Sequence, residues 1–255
     1  MDRFNSKVRQ YTLGVVAHLL LLLAWYLFVR LGDVPKFVMP SPGDTVRALF
    51  VPDYGWWPNI LVTGTEIFGG YALALVVGVL LALMFTWSKT FESLMLPLLV
   101  TLNMIPKVAL GPLIIGWFKY GVFPNSMMAF SIAVFPILLT TARGLREIEP
   151  DLLDLVRSLR GSRWQLFVKI QLPGALPYVF AGMKVAAILA VAGAIVGEFL
   201  GSDRGLGYLM LQVQVTLDTP AMFMAVILIT LLGMLLYGLV LLLELLLVVK
   251  DARVT

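Results

Sequence analysis

The chain has 255 residues, 60% hydrophobic and only 13% charged, with a mean hydropathy of +0.94. That leaves too little polar surface to cover a soluble globule, so a water-soluble domain is excluded. The formal net charge is +4 and cysteine is absent, which rules out disulfides, thiolate metal sites and thiol catalysis.

Apolar runs recur at about 10–30, 60–87, 93–118, 124–142, 178–200 and 219–249. About 20 helical residues at 1.5 Å each cross a hydrocarbon core of roughly 30 Å. Polar and apolar residues do not alternate within the runs, so the sequence predicts six transmembrane helices and not a barrel. The expected fold is an all-α polytopic membrane protein, one domain over 1–255, with a helix-turn-helix loop at about 143–177 between helices 4 and 5. Lys and Arg crowd the side that holds both termini, Lys89 and the stretch from Arg143 to Lys169. Both termini are therefore expected in the cytoplasm, and the excess of positive charge needs no nucleic acid to explain it.

The first run follows Arg3, Lys7 and Arg9. It is too long for a signal peptide and no small-residue cleavage site follows, so it reads as an uncleaved helix. His18 within it is expected to be buried and hydrogen-bonded. In "VPKFVMPSPGDTVRALF" the prolines favour extended chain, and Ser41 or Asp44 is placed to cap a short amphipathic helix. The third run contains "NMIPKVALGPL", where Pro106 either kinks a packed helix or breaks one that lines a pathway. An ionisable group at mid-helix costs about 2.5–3.5 kcal/mol on insertion scales, so such groups should face protein or water. Lys107 and Met104 beside the break, with Glu66 and Glu198, are the candidate translocation-path residues. Alternative readings are a surface position for Glu66 and a snorkelling Lys184. The glycines of "GEFLGSDRGLGYLM" follow an apolar helix with no strand before it; they predict a tight loop and no dinucleotide site.

One passage breaks the apolar pattern: "DLLDLVRSLRGSRWQLFVKIQLPGALP", residues 151–177. Pro150 suits a first helical position, with Glu147, Glu149 and Asp151 near the positive helix end. Ile148, Leu152, Leu155, Val156 and Leu159 share one face. Arg157 and Arg160 lie at the negative end, and Gly161 predicts the stop. Ser162 and Gln165 form a capping box for a second helix through Ile170, which Leu172-Pro173-Gly174 should end. An apolar ridge flanked by charge suits either an anionic lipid surface or the groove of a cytoplasmic partner.

The same residues resemble the permease subunits of binding-protein-dependent ABC importers. Asp154-Leu155-Val156 takes the place of an acidic residue and two small ones, and Ile170-Gln171-Leu172-Pro173 fits the motif's end. Arg160 stands at its glycine position, with Gly161 one residue late. "IPKVALGPLIIGWFKYG", "FPILLTTARGL" and "LPGALPYVFAGMK" are similar to the nitrate, sulfonate and taurine branch, with thiamine-pyrimidine precursors handled by relatives. The resemblance, running from about Pro35 to Val248, implies a multi-pass protein of the bacterial inner membrane. It also implies two permease copies, two ATPase subunits and an extracytoplasmic solute-binding protein. Asp151, Asp154, Arg157, Ser158, Arg160, Gly161 and Ser162 would contact the ATPase. No Gly-x4-Gly-Lys-Ser/Thr loop occurs, so ATP and magnesium would be bound by that partner, and this chain needs no catalytic residue, metal or cofactor of its own. A channel or a membrane enzyme is the rival reading.

Overall fold

The computed structural model describes residues 2–147, Leu152, Asp154, Val156 and 158–248. Regular structure among the described residues is entirely helical. The helices are α1 (Asp2–Leu31), α2 (Pro42–Ala48), α3 (Trp56–Trp87), α4 (Lys89–Met104) and α5 (Lys107–Phe118). There follow α6 (Val122–Gly144), α7 (Arg163–Leu166), α8 (Leu172–Gly201), α9 (Leu206–Val215) and α10 (Thr219–Leu247). Among the described residues five helical runs are long and apolar enough to cross a bilayer, and the bent pair α4–α5 counts as a sixth if it crosses as one span.

Two local features answer questions that the sequence left open. Ile105 is extended (φ −64°, ψ 125°), as the residue before a proline must be, and α4 and α5 meet at 84°. The helix is therefore broken at Ile105, not merely kinked. By contrast, Leu172-Pro173-Gly174 does not end a helix. Pro173 falls in the first turn of α8, where no N–H is needed, and a π-helical turn over Phe167–Gln171 joins it to α7.

The chain folds as two compact units, one comprising residues up to Trp56 with Leu209–Leu228 and the other Trp57–Tyr208 with the chain from Ile229. In the first, Ser41 caps α2 by accepting from the Asp44 N–H at 3.2 Å, and its hydroxyl donates to the Asp44 carboxylate at 2.7 Å. Together with Lys36 at 3.0 Å, Ser41 holds that carboxyl below the ordinary carboxylate range. Indole N–H groups tie down neighbouring chain, Trp25 to the Pro40 carbonyl and Trp56 to the Ala48 carbonyl, both at 3.0 Å. His18 is exposed on this chain and not buried as expected; its Nδ1 is 2.7 Å from the Gly14 carbonyl oxygen.

The second unit is built on α6 packed against α8, with α3 alongside. Small residues make the approach possible: Gly182, Ala186, Ala190, Gly193 and Gly197 recur on one buried face of α8. A Cβ on Gly193 would lie 2.7 Å from the Ala129 Cα, and one on Gly70 would lie 2.5 Å from the Ser126 carbonyl oxygen. Ile67, Ala74, Ala133 and Ile137 close the core around this contact. Gly193→Ala should thus force backbone apart and cost about 1–3 kcal/mol. Gly238→Ala meets nothing within 4 Å and should cost nothing. Comparing thermal unfolding midpoints of the two detergent-solubilised variants checks this.

Candidate functional site

A polar network lies inside the second unit where three helices supply side chains to one loop. Asn59, Thr63 and Glu66 recur at i, i+4 and i+7 along α3, which puts them on one face. Glu198 comes from the last turn of α8 and Asn125 from the first turn of α6. Glu66 and Glu198 are fully buried, at 0% and 1% exposure, so the surface reading of Glu66 is corrected.

Glu198 accepts from the Thr63 hydroxyl at 2.6 Å, from the Gly207 N–H at 2.5 Å and from the Tyr208 N–H at 3.2 Å. Thr63 in turn accepts from the Leu206 N–H at 2.8 Å, and Asn59 accepts from the Gly205 N–H at 2.8 Å. The four N–H groups that open α9 therefore all end on side chains of α3 and α8, as helix-start donors must when buried. Glu66 accepts from Asn125 Nδ2 at 2.8 Å, and the same nitrogen is 3.4 Å from the Ser202 hydroxyl. Glycine is required at 205: φ is +114°, and a Cβ would lie 2.4 Å from the Glu198 carboxyl. The glycine loop predicted from the sequence is thus moulded around a carboxylate.

The other candidates lie apart from this network. Met104 is 76% exposed at the end of α4. Lys107 Nζ donates to the Leu102 and Asn103 carbonyls at 2.8 and 3.3 Å, capping the broken end of α4. Lys184 does not snorkel; it pairs with Glu244 on α10 at 3.1 Å, with both side chains largely buried. Sequence reading missed Asn59, Thr63, Asn125 and Glu244. The first two were legible as a polar stripe at helical spacing within an apolar run. Glu244 has no comparable local signal.

Of the charged passage, Asp151 and Arg157 lie outside the described residues. Asp154 and Ser158 are helical and exposed, and the capping box of Ser162 and Gln165 forms with bonds of 2.8 and 3.2 Å. The helix stop differs by one residue from expectation. Arg160, not Gly161, is left-handed at φ 54°, so the motif's glycine position is the one that needs φ above zero. Gly161 is held close, its N–H donating to the Val156 carbonyl at 2.8 Å. The passage is rooted at both ends: Arg146 pairs with Glu92 at 2.5 Å, and Gln171 donates to the Leu145 carbonyl at 3.3 Å. Trp87, Phe167 and Trp164 form an aromatic row beside it, ring centroids 5.7 and 5.8 Å apart.

Among the described residues the chain is all-helical, with five helices apolar and long enough to cross a membrane and a bent pair that counts as a sixth if it crosses as one span. Residues 74–247 match the family described as binding-protein-dependent transport system inner membrane component, and the chain belongs to that family. It is 34% identical to a probable ABC transporter permease protein of Haemophilus influenzae, covering 85% of this chain and 89% of the relative. It is 32% identical to the formylaminopyrimidine transport permease protein ThiX of Halalkalibacterium halodurans, over 85% and 87%. The riboflavin transport system permease protein RibX of Chloroflexus aurantiacus is 34% identical, over 93% and 89%. The putative aliphatic sulfonates permease SsuC of Escherichia coli is 29% identical, over 86% and 82%. Among solved structures, the inward-facing MetNI methionine ABC transporter shares the fold, with a TM-score of 0.57 at 17% identity, over 75% of this chain and 98% of that one. These relatives are permease subunits, and this chain is a permease subunit of an ABC transporter.

The ion pair of Lys184 and Glu244 gives a direct test of the second unit. Lys184→Met alone leaves Glu244 buried without its partner and should cost about 3 kcal/mol. The double variant Lys184→Met/Glu244→Leu should recover most of that loss. Unfolding midpoints of the two single variants and the double variant measure the coupling.

Proposed function

We propose that this chain and a second copy line an import pathway for a small organic nutrient of heteroaromatic type, loaded by an extracytoplasmic binding protein and driven by two partner ATPase subunits that bind ATP and magnesium. Both termini, Lys89 and residues 143–177 face the cytoplasm of a bacterial inner membrane, while Pro42 and Ser202 face outward, following the lysine and arginine bias. The observation that carries the coupling role is the apolar and basic face of the charged passage. Leu152, Leu159 and Trp164 are 38%, 73% and 66% exposed on a segment whose two roots are fixed to the spans. A rooted segment with an exposed apolar ridge suits a groove on a partner, which an ATP-driven change of shape can push.

Two observations favour a heteroaromatic nutrient over a sulfonate, taurine or nitrate. The relatives named for formylaminopyrimidine and riboflavin are 32% and 34% identical, against 29% for the sulfonate permease. The two lysines in the spans are also engaged, Lys107 on backbone carbonyls and Lys184 on Glu244. An anion pathway would be better served by a cation directed at the substrate.

Arg157→Glu/Arg160→Glu places negative charge at the negative end of the helix. It should abolish co-purification of the ATPase while leaving membrane insertion intact; full retention would favour the lipid-anchor reading. For the substrate, ATPase stimulation in the reconstituted transporter with its binding protein should respond to a formylaminopyrimidine and not to taurine. The reverse pattern restores the sulfonate reading.

A further inference from the structure

A concavity of about 790 Å³ lies inside the first unit, between the end of α1, the turn after it and α2. Its walls carry Arg30, Lys36 and Arg47 against Asp33 and Asp44. Lys36 pairs with Asp44 at 3.0 Å and the Ser41 hydroxyl donates to the same carboxylate, so that couple is already matched. No ion pair among the described residues reaches Arg30, Arg47 or Asp33. The Arg30 guanidinium instead lies over the Tyr26 ring, 5.9 Å from its centroid, which steadies it without neutralising it. Three positive groups against two negative ones leave a surplus of one positive charge. A group with a single negative charge and several acceptor oxygens would balance that surplus and engage both guanidiniums.

Depth decides which group that is. The run from Thr12 to Leu31 is apolar enough to cross a bilayer, which puts Arg30 at its end, where lipid phosphates lie. The neighbouring surface is apolar and open: Phe28 and Leu31 are 61% and 81% exposed, and Val46 and Phe50 are 52% and 76% exposed. Acyl chains cover such surface, whereas free phosphate does not and a water-soluble protein would have to enter hydrocarbon to do so. The walls are braced in advance. The Trp25 indole N–H holds the Pro40 carbonyl at 3.0 Å, and the Gly32 and Val34 N–H groups fold the turn back onto the Phe28 and Val29 carbonyls.

We infer that this concavity binds the phosphodiester headgroup of an anionic phospholipid, held by Arg30 and Arg47, and that the bound lipid ties α2 to the end of α1. Tyr26 is a positioning residue for Arg30. The inference rests on α1 crossing the membrane and on no particular substrate.

Native mass spectrometry of the full-length chain in a maltoside, titrated with dioleoyl phosphatidylglycerol or dioleoyl phosphatidylcholine, reads the site. The wild type should prefer phosphatidylglycerol by about fivefold or more, and Arg30→Gln/Arg47→Gln should lose about tenfold in affinity for it while phosphatidylcholine changes less than about twofold. Arg30→Lys/Arg47→Lys keeps the charge and should keep the preference. Arg204→Gln, at an exposed arginine that does not line the concavity, should change nothing. Should the glutamine pair fail to fold, Arg47→Gln alone decides, with an expected loss of about threefold.

Equal affinity of the wild type for the two lipids overturns the proposal, as does a glutamine variant that binds phosphatidylglycerol as the wild type does. Displacement of the lipid by millimolar inorganic phosphate assigns the site to a free anion and overturns it. A glutamine pair that keeps its lipid but no longer captures the binding protein assigns the arginines to that protein, and this also overturns it.

Discussion

A carboxylate inside a bilayer has to be matched by donors, and in this protein the requirement of Glu198 organises everything near it. Its oxygens collect a threonine hydroxyl and two backbone N–H groups, which fixes where α9 starts. That in turn demands glycine at 205 and 207, since a Cβ at either would lie within 3.0 Å of the carboxylate. It also demands a polar face on α3, which supplies Thr63. An unmatched buried charge costs several kcal/mol, so each of these residues is part of one condition.

The helix packing follows a related logic. In lipid no hydrophobic effect drives helices together, and close approach of backbones takes its place. The glycine and alanine face of α8 lets α6 approach nearly to van der Waals contact, and that close pair is the frame that carries Asn125 and Glu198. Lys184 and Glu244 add a second matched polar contact, between α8 and α10. Charged and small residues therefore divide the work: small residues set the distance, and matched charges set which helix faces meet.

Much of this was legible in the sequence. Helices lie where the apolar runs are long, and the Ser41 cap and the Ser162–Gln165 capping box followed from local chemistry. Pro106 marked the broken span because a proline restricts its predecessor whatever the surroundings. Pro173 misled for the complementary reason: the same residue ends one helix or starts another, and only the π turn before it decides. Glu66 and Glu198 could be picked out as ionisable groups in apolar runs, but their partners could not, because Asn125 lies 59 positions from Glu66, Thr63 lies 135 from Glu198, and no local rule pairs them. Arg160 was visible as a departure from the family motif. That the motif's glycine sits where φ is positive is a fact of the backbone, which residue spacing does not carry.

The organising role of Glu198 is open to one direct reading in the wild-type protein. Amide hydrogen exchange, followed by mass spectrometry over peptides spanning residues 203–209, reports on the N–H groups that Asn59, Thr63 and Glu198 hold. A loop moulded on a buried carboxylate should exchange as slowly as the core of α8, although it follows exposed residues Asp203 and Arg204. Exchange at the rate of an open surface loop would contradict the account, because the four donors would then be bonding to water and not to the buried side chains.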